Sequence, residues 1–226
     1  MKRFSNRLTF FGGGLLLAYL GLVRPRLARW NASDDEVLGR QPGDELIPHP
    51  LLHTTCSITI HAPAEQVWPW IVQIGYGRGG FYSYDWLERM AGLEGLRSAT
   101  RIDPDLQNLA VGDTVPISPV TPMKVAALQP GRALVLRALM SPFTAEILDP
   151  DNLRGPWMDW TWAFLITPRG EGSCRLTSRV RAAYAPYILL WPMMAFVLEP
   201  VSFVMDRKLL LTVKQRVESG SQTGGA

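Results

Sequence analysis

The sequence predicts an α+β fold in which a curved antiparallel sheet wraps around one long C-terminal helix. Three observations predict it. Apolar and polar residues alternate in several runs between residues 54 and 184, which is typical of strands with one buried face. Proline and glycine separate these runs at short intervals, as hairpin connections require. The chain then ends in a mostly apolar, later amphipathic stretch over residues 186–218, long enough for about nine helical turns.

The first element is an uncharged apolar run at residues 8–23, which lies between Arg7 and Arg24. As a helix it would extend about 24 Å, slightly less than the roughly 30 Å hydrocarbon core of a bilayer, and the flanking arginines can reach the interface. We expect residues 1–29 to form an uncleaved, single-pass membrane anchor. A signal peptide and a buried helix are the alternatives, although no small-residue cleavage site follows the run.

The charge distribution limits the partners of the protein. The 226 residues carry a net charge of +3, but residues 1–29 hold six of the 23 basic side chains and none of the 20 acidic ones. The rest of the chain is therefore slightly acidic, which gives no electrostatic basis for nucleic-acid binding. Each flank of the apolar run carries three basic side chains, so the positive-inside rule gives no orientation.

The cysteines and histidines indicate neither a disulfide framework nor a metal site. Cys56 and Cys174 fall in the apolar phase of predicted strands, which is typical of buried free thiols, and unpaired thiols favour a cytoplasmic domain. The three histidines lack the spacing of metal ligands, so we expect neither a metal nor a cofactor.

A juxtamembrane connector over residues 30–51 follows the anchor. Within it, Ser33 and Glu36 have the spacing of a capping box, which predicts a short helix. The main domain is predicted over residues 52–218, and the small, polar residues 219–226 are expected to form a disordered tail.

The main domain begins with a predicted strand at residues 54–61. Pro63 then begins a helix that runs to about Ile74, and a second short helix is expected at residues 83–91. Further strands are predicted at residues 111–117, 123–128, 133–139, 141–148, 157–167 and 173–184. Pro130-Gly131 predicts the hairpin between the second and third of these.

The last predicted strand carries Arg175, Arg179 and Arg181 in alternation with apolar residues. That phase predicts a sheet with one face in water.

The segment at residues 79–88 (GGFYSYDWLE) is the most informative in the chain. It combines aromatic rings, a serine and two carboxylates in a short stretch opened by glycines, a mixture that favours the lining of a pocket. The glycines at residues 75–80 follow a helix rather than a strand, so they do not predict a dinucleotide-binding turn.

Several motifs resemble those of the START/Bet v 1-like superfamily, also called SRPBCC, which includes polyketide cyclase/dehydrase-like and lipid-transfer proteins. Residues 60–68 (IHAPAEQVW) resemble the strand-to-helix entry of the superfamily. Residues 77–88 (GRGGFYSYDWLE), 42–46 (PGDEL) and 111–113 (VGD) resemble those of a membrane-anchored bacterial subgroup. The resemblance covers residues 52–217 and implies a helix-grip fold that encloses a cavity. It implies no particular chemistry, because one fold hosts binding proteins, transporters and enzymes.

The first functional hypothesis is a membrane-tethered module that binds a hydrophobic small molecule or lipid. Such pockets are mostly apolar with a few orienting polar groups, and methionine adapts to varied ligands. A core filled solidly by the same side chains is the alternative. The residues expected to contact the ligand are Trp70, Arg78, Phe81, Tyr82, Tyr84, Asp85, Trp160, Trp162, Phe164 and Met194.

Two further hypotheses stay open. A cyclase- or dehydratase-like enzyme would use Asp85 and Tyr84 for acid–base chemistry, which needs a carboxylate whose pKa is raised by burial. A membrane-bound interaction domain without a ligand would use the arginines of the last strand. No segment has the heptad pattern of a dimerisation helix, so the sequence predicts no oligomeric state.

Overall fold

The computed structural model of the chain describes residues 14, 16–84, 86, 89 and 97–223. Within this part of the chain, six strands form one antiparallel sheet in the order β1-β6-β5-β4-β3-β2. The first and last strands of the sequence are therefore neighbours in the sheet. The strands are β1 (Leu52–Ile60), β2 (Thr114–Pro116), β3 (Pro122–Gln129), β4 (Ala133–Met140), β5 (Trp157–Pro168) and β6 (Cys174–Ala185).

The helices lie at the two ends of the chain and after the first strand. Gly14 and residues 16–18 are helical and continue through a π-helical turn, Tyr19–Val23, into the next helix. The α-helices are α1 (Arg24–Ala28), α2 (Asp34–Leu38), α3 (Ala64–Val72), α4 (Tyr187–Met193) and α5 (Glu199–Thr223). A second π-helical turn, Met194–Leu198, joins α4 to α5, so the chain ends in one nearly continuous helical stretch.

The core lies between the sheet and α5. Leu209, Leu210, Val213 and Val217 recur at helical spacing along α5 and are all buried. They belong to one apolar cluster with residues of β1, β5 and α3. Burial of each such side chain contributes about 1.5–3 kcal/mol. This packing fixes α5 across the concave face of the sheet, which is the predicted helix-grip arrangement.

Local signals in the sequence are confirmed at several places. Ser33 and Glu36 form the predicted capping box at the start of α2, with Ser33 Oγ accepting from the Glu36 amide and the Glu36 carboxylate accepting from the Ser33 amide. The hairpin between β3 and β4 turns at Gly131, whose φ of +74° favours glycine. Both cysteines are buried and free.

Two predicted strands differ from the structure. Residues 141–148 form a turn with only an isolated bridge between Met140 and Ile147, because Pro142 cannot donate to a ladder and Ala145 adopts a φ of +58°. The strand predicted at residues 111–117 is limited to β2, since the chain turns at Gly112 with a φ of +92°.

The prediction that the arginine-bearing face of β6 lies in water is wrong. Arg179 is only 2% exposed, and its guanidinium donates to both carboxylate oxygens of Asp44 at 2.9 Å. Arg175 donates to Glu36 at 2.7 Å, and Arg181 donates to the Ile47 carbonyl. The connector therefore covers this face. A period-two pattern separates the two faces of a strand, but it does not show which other segment covers one of them.

Residues 8–13 and 15 of the predicted anchor lie outside the described residues, and the transmembrane part of the predicted fold stays a prediction. Among the described residues, one helical stretch, Tyr187–Gly220, is long and apolar enough to cross a membrane. Its most apolar window has a mean hydropathy of 1.8, and 22% of that window is buried inside the protein.

Candidate functional site

A cavity of about 160 Å³ lies between the sheet and α5. On α5, Ser202, Met205 and Asp206 occupy positions i, i+3 and i+4, so they project to the same side of the helix. On β5, Trp160 and Trp162 are two residues apart and therefore share the concave face. The lining residues are Phe81, Ile117, Trp160, Trp162, Val180, Ser202, Met205 and Asp206.

Aromatic rings form much of the cavity wall. The ring centroids of Phe81 and Trp162 are 6.2 Å apart, and those of Trp162 and Phe164 are 4.7 Å apart. The indole N–H of Trp160 is buried and has no hydrogen-bond acceptor among the described residues. Buried indole N–H groups are usually paired, so this donor can pair with a molecule bound in the cavity.

Asp206 is the ionisable group of the cavity. Its residue is 6% exposed, and its carboxylate accepts hydrogen bonds from Ser178 and Trp162. The Trp162 indole also donates to Ser178 Oγ at 3.0 Å, which links the three side chains. No arginine or lysine is among the groups that shift its ionisation.

Burial raises the pKa of Asp206 to about 7, against the smaller lowering effect of its two hydrogen bonds. Loss of hydration disfavours the ionised carboxylate, and no opposite charge compensates. The neighbouring Cys56 thiol responds in the same way: burial, and secondly the charge of Asp206, raise its pKa well above the usual range. At neutral pH both protonation states of Asp206 are therefore populated.

This arrangement can bind a ligand, and it can also transfer protons. When protonated, Asp206 can donate a hydrogen bond to an uncharged ligand, and when ionised it can accept a proton. A carboxyl group with a pKa near the working pH is the kind that general acid–base catalysis uses. Among the described residues, no group of three or more His, Cys, Asp or Glu side chains is placed to hold a metal ion.

The structure brings three of the predicted ligand residues to the cavity lining. They are Phe81, Trp160 and Trp162. Phe164 lies directly behind Trp162 and is fully buried in the core cluster.

Trp70, Arg78 and Tyr82 lie in a separate polar cluster that holds the loop after α3. The buried Tyr82 hydroxyl donates to the Trp70 carbonyl at 3.0 Å and accepts from Gln73 Nε2 at 2.9 Å. The Arg78 guanidinium donates to backbone carbonyls of residues 72, 74 and 106. The polar groups of this motif are thus used within the loop rather than in the cavity.

The other predicted residues lie elsewhere. Tyr84 packs against Trp86, and the Lys208 ammonium lies 5.6 Å from the Tyr84 ring centroid. Met194 is buried in a second apolar cluster beside α4. Asp85 lies outside the described residues, so its expected role stays a prediction.

Sequence reasoning missed Asp206, Ser178 and Ser202. A signal for Asp206 was present, because it precedes Leu209 and Leu210 by three and four residues and so continues their buried stripe. A carboxylate in that phase predicts a buried acid. Ser178 likewise occupies the inward phase of β6, between Leu176 and Val180.

No protein-family model matches the chain, and no curated protein matches it in sequence. Several solved structures are similar to it. A protein from Mesorhizobium loti is 14% identical over 74% of this chain and 97% of its own, with a TM-score of 0.41. A polyketide-cyclase-like protein from Corynebacterium glutamicum is 15% identical over 79% and 98%, with a TM-score of 0.36. The Zhui aromatase/cyclase from Streptomyces sp. R1128 is 15% identical over 77% and 98%, with a TM-score of 0.33.

These structures include a polyketide-cyclase-like protein and an aromatase/cyclase, the kind of protein that the sequence motifs resemble. At TM-scores below 0.5 these matches carry no argument about the chain, and its fold is established by its own sheet order and C-terminal helix. The likeness to a membrane-anchored subgroup stays a prediction.

Proposed function

We propose that this protein binds a hydrophobic small molecule in the cavity between β5, β6 and α5. The observation that carries the proposal is an aromatic-lined cavity of about 160 Å³ whose ionisable group is a single buried carboxyl. A cavity of about 150 Å³ is large enough for benzene. The ligand is therefore a one-ring molecule, or a longer one whose end enters past the half-buried Trp160 and Ser202.

The membrane anchor at residues 8–23 belongs to the same proposal. Its support is the uncharged run between Arg7 and Arg24, and the helical structure of its described part, residue 14 and residues 16–23. A tethered binding domain would exchange an apolar ligand close to the bilayer in which such molecules dissolve.

Native mass spectrometry of the full chain, purified from its host in mild detergent, tests the proposal. We expect a copurifying apolar molecule at near one-to-one stoichiometry, and we expect the delipidated protein to bind 2-naphthol, an uncharged aromatic alcohol of which one of the two rings can enter the cavity while the other lies at its entrance. An empty protein that also fails to bind 2-naphthol would mean that the same side chains form a filled core.

A pair of variants on α5 sharpens this test. Ser202→Phe fills the cavity and should weaken 2-naphthol binding at least tenfold. Val204→Phe introduces the same ring on the same helix at an exposed position outside the lining and should leave binding unchanged. Equal effects of both variants would show that the probe binds somewhere else.

The second candidate function is a cyclase- or dehydratase-like enzyme that acts on an apolar substrate in this cavity. Asp206 favours it, because a buried carboxyl of raised pKa can exchange protons with a carbonyl compound. Deuterium exchange at the α-carbon of acetophenone, a one-ring ketone, provides a test. If the protein is an enzyme, Asp206→Asn lowers this exchange by about 10²–10⁴ and leaves 2-naphthol binding within a few-fold. An unchanged exchange rate would exclude Asp206 as the acid–base group, and Asp85→Asn would then test the earlier candidate.

The hypothesis of an interaction domain depended on an exposed surface of arginines on the last strand, and the structure does not expose such a surface. Arg175, Arg179 and Arg181 are bound by the connector and are not presented to an acidic partner.

A further inference from the structure

We propose that the first part of the C-terminal helical stretch is a second membrane-contact element that lies in the bilayer beside the N-terminal helix. The exposed apolar side chains of the two elements are called here the apolar face. It is defined by Leu17 and Leu22 of the N-terminal helix and by Ile188, Leu189, Val197 and Val204 of the stretch from α4 into α5.

Specific contacts hold the two elements together. The Tyr19 hydroxyl donates to the Ala195 carbonyl, and the rings of Tyr19 and Phe196 have centroids 5.2 Å apart. Arg24 donates two hydrogen bonds of 2.6 Å to the carboxylate of Glu199, which is largely buried. A bidentate pair of this kind fixes orientation as well as distance. The exposed apolar side chains of the two elements are therefore carried by one joined pair of helical segments.

The exposure of this surface is unusual for a water-soluble face. Ile188 is 89% exposed and Leu17 is 72% exposed. Residues 186–198 contain no charged side chain, and only 22% of the apolar window in this stretch is buried inside the protein. Contiguous apolar patches on a protein surface mark contact with a membrane or a partner.

Three features favour a bilayer as the occupant. Residues 195, 196 and 199 contact Tyr19 and Arg24, so this part of the stretch lies at the same depth as the end of the predicted anchor. The Arg24–Glu199 pair neutralises the first charges that follow on either element. Exposed basic side chains follow the pair, Arg26 two residues after Arg24 and Arg207 eight residues after Glu199, and they can meet anionic headgroups.

The aromatic residues support the same placement. Tyr187 and Trp191 lie together on α4 with ring centroids 6.5 Å apart. Tyrosine and tryptophan are the residues preferred at membrane–water interfaces. An aromatic cluster beside a fully apolar surface is thus typical of a helix that lies in the interfacial region.

One consequence rests on the proposed function. Val204 of the apolar face and the exposed Val201 alternate on α5 with the cavity-lining Ser202 and Met205. Docking of the apolar face would place this side of the cavity next to the lipid, so that an apolar ligand would pass between bilayer and cavity without crossing water.

Site-specific fluorescence on the full chain in vesicles tests the inference. The two native cysteines are buried, so an introduced surface cysteine can be labelled selectively with the environment-sensitive fluorophore NBD. The vesicles contain phosphatidylcholine and phosphatidylglycerol, with or without bromine on the acyl chains. Ile188→Cys and Val197→Cys report on the apolar face, Leu17→Cys on the predicted anchor, and Val111→Cys is the control, since it is 62% exposed and belongs to neither element.

We expect brominated lipid to quench the labels at positions 188 and 197 at least fivefold more than the label at 111, and aqueous iodide to do the reverse. Equal iodide quenching at 188 and 111 would overturn the inference. Protection at 188 from both quenchers would also overturn it, because it would indicate a protein partner or a second copy. Quenching by lipid at position 17 without quenching at 188 would leave the anchor intact and reject only the second element. Binding of 2-naphthol is measured on the same preparations, so failure of the proposed function is seen separately.

Discussion

The two faces of the sheet each bury one aspartate, and the two aspartates have opposite surroundings. On the outer face, Asp44 of the connector receives two hydrogen bonds from Arg179. On the inner face, Asp206 of α5 has Ser178 and Trp162 as hydrogen-bond partners, and no arginine or lysine of the described residues is among the groups that shift its pKa. The positive charge of Arg179 balances the outer carboxylate. The inner carboxyl group lines the cavity and has no such compensation from the groups that shift its pKa.

The difference changes the pKa of the two groups in opposite directions. Burial acts to raise the pKa of Asp44, but the hydrogen bonds from Arg179 and from the Gln41 amide outweigh it and leave the pKa below its ordinary value. For Asp206, burial outweighs the hydrogen bonds from Ser178 and Trp162 and raises the pKa to about 7. A buried acid without charge compensation destabilises the fold when it ionises, which is typical of functional rather than structural groups.

The signs of the resulting pH dependences are therefore opposite. The native state keeps Asp44 ionised to lower pH than the unfolded state does, so its stabilising contribution is present above about pH 4 and is lost as the pH falls further. Between about pH 4 and pH 7 the unfolded chain releases the Asp206 proton while the native protein keeps it, so this group makes the free energy of unfolding fall as the pH rises.

The largest effect is expected from breaking the outer pair. Arg179→Met leaves the Asp44 carboxylate without its main partner, and removal of one member of a buried pair costs about 3–5 kcal/mol. Chemical denaturation at pH 7 measures the loss. The control is Arg137→Met, which breaks the Arg137–Asp159 pair, whose arginine is 38% exposed; it should cost about 1 kcal/mol or less. Equal losses in both variants would show that the connector does not hold the outer face.

The inner aspartate should respond in the opposite direction. Asp206→Asn keeps the shape of the protonated acid and removes its ionisation, so the variant should be more stable than the natural protein at pH 8. The upper bound is about 4 kcal/mol, because each unit of pKa shift corresponds to about 1.4 kcal/mol. Thermal unfolding from pH 4 to pH 8 should show a flatter profile for the variant. A variant profile as steep as that of the natural protein would mean that Asp206 is not the group that titrates.

The sequence predicted the inner and outer faces unequally well. The alternation in β5 and β6 was sufficient for the strands, because the periodicity of two is a local property of the pleated backbone. The cover over Arg179 depends on Asp44, 135 residues earlier in the chain, and no local pattern indicates such a pair.

The motif at residues 79–88 shows the limit of composition as evidence for a site. Phe81 does reach the cavity, but Tyr82, and Arg78 just before the motif, donate hydrogen bonds to backbone carbonyls of α3. Aromatic and polar side chains near glycines can line a cavity or hold a loop in place. Which of the two they do depends on nearby backbone carbonyls, and the positions of those carbonyls are known only once the fold is known. Asp206 was predictable from its place on the buried stripe of α5, since that periodicity is also local.

The smallest effect, and the most specific, is expected from the hydroxyl that links Trp162 to Asp206. Ser178→Ala removes one donor to the ionised carboxylate, so it should raise the pKa of Asp206 and move the pH-dependent fall in stability to higher pH. The accompanying loss of stability should be about 1 kcal/mol, typical of one buried hydrogen bond. Ser57→Ala is the matched control, because it breaks the buried Ser57–Thr177 hydrogen bond of 2.8 Å in the neighbouring strand pair. Both variants should lose similar stability, but only Ser178→Ala should displace the pH profile of stability. If both variants displace the profile, the displacement comes from a general loosening of β1 and β6 and not from loss of the Ser178–Asp206 contact.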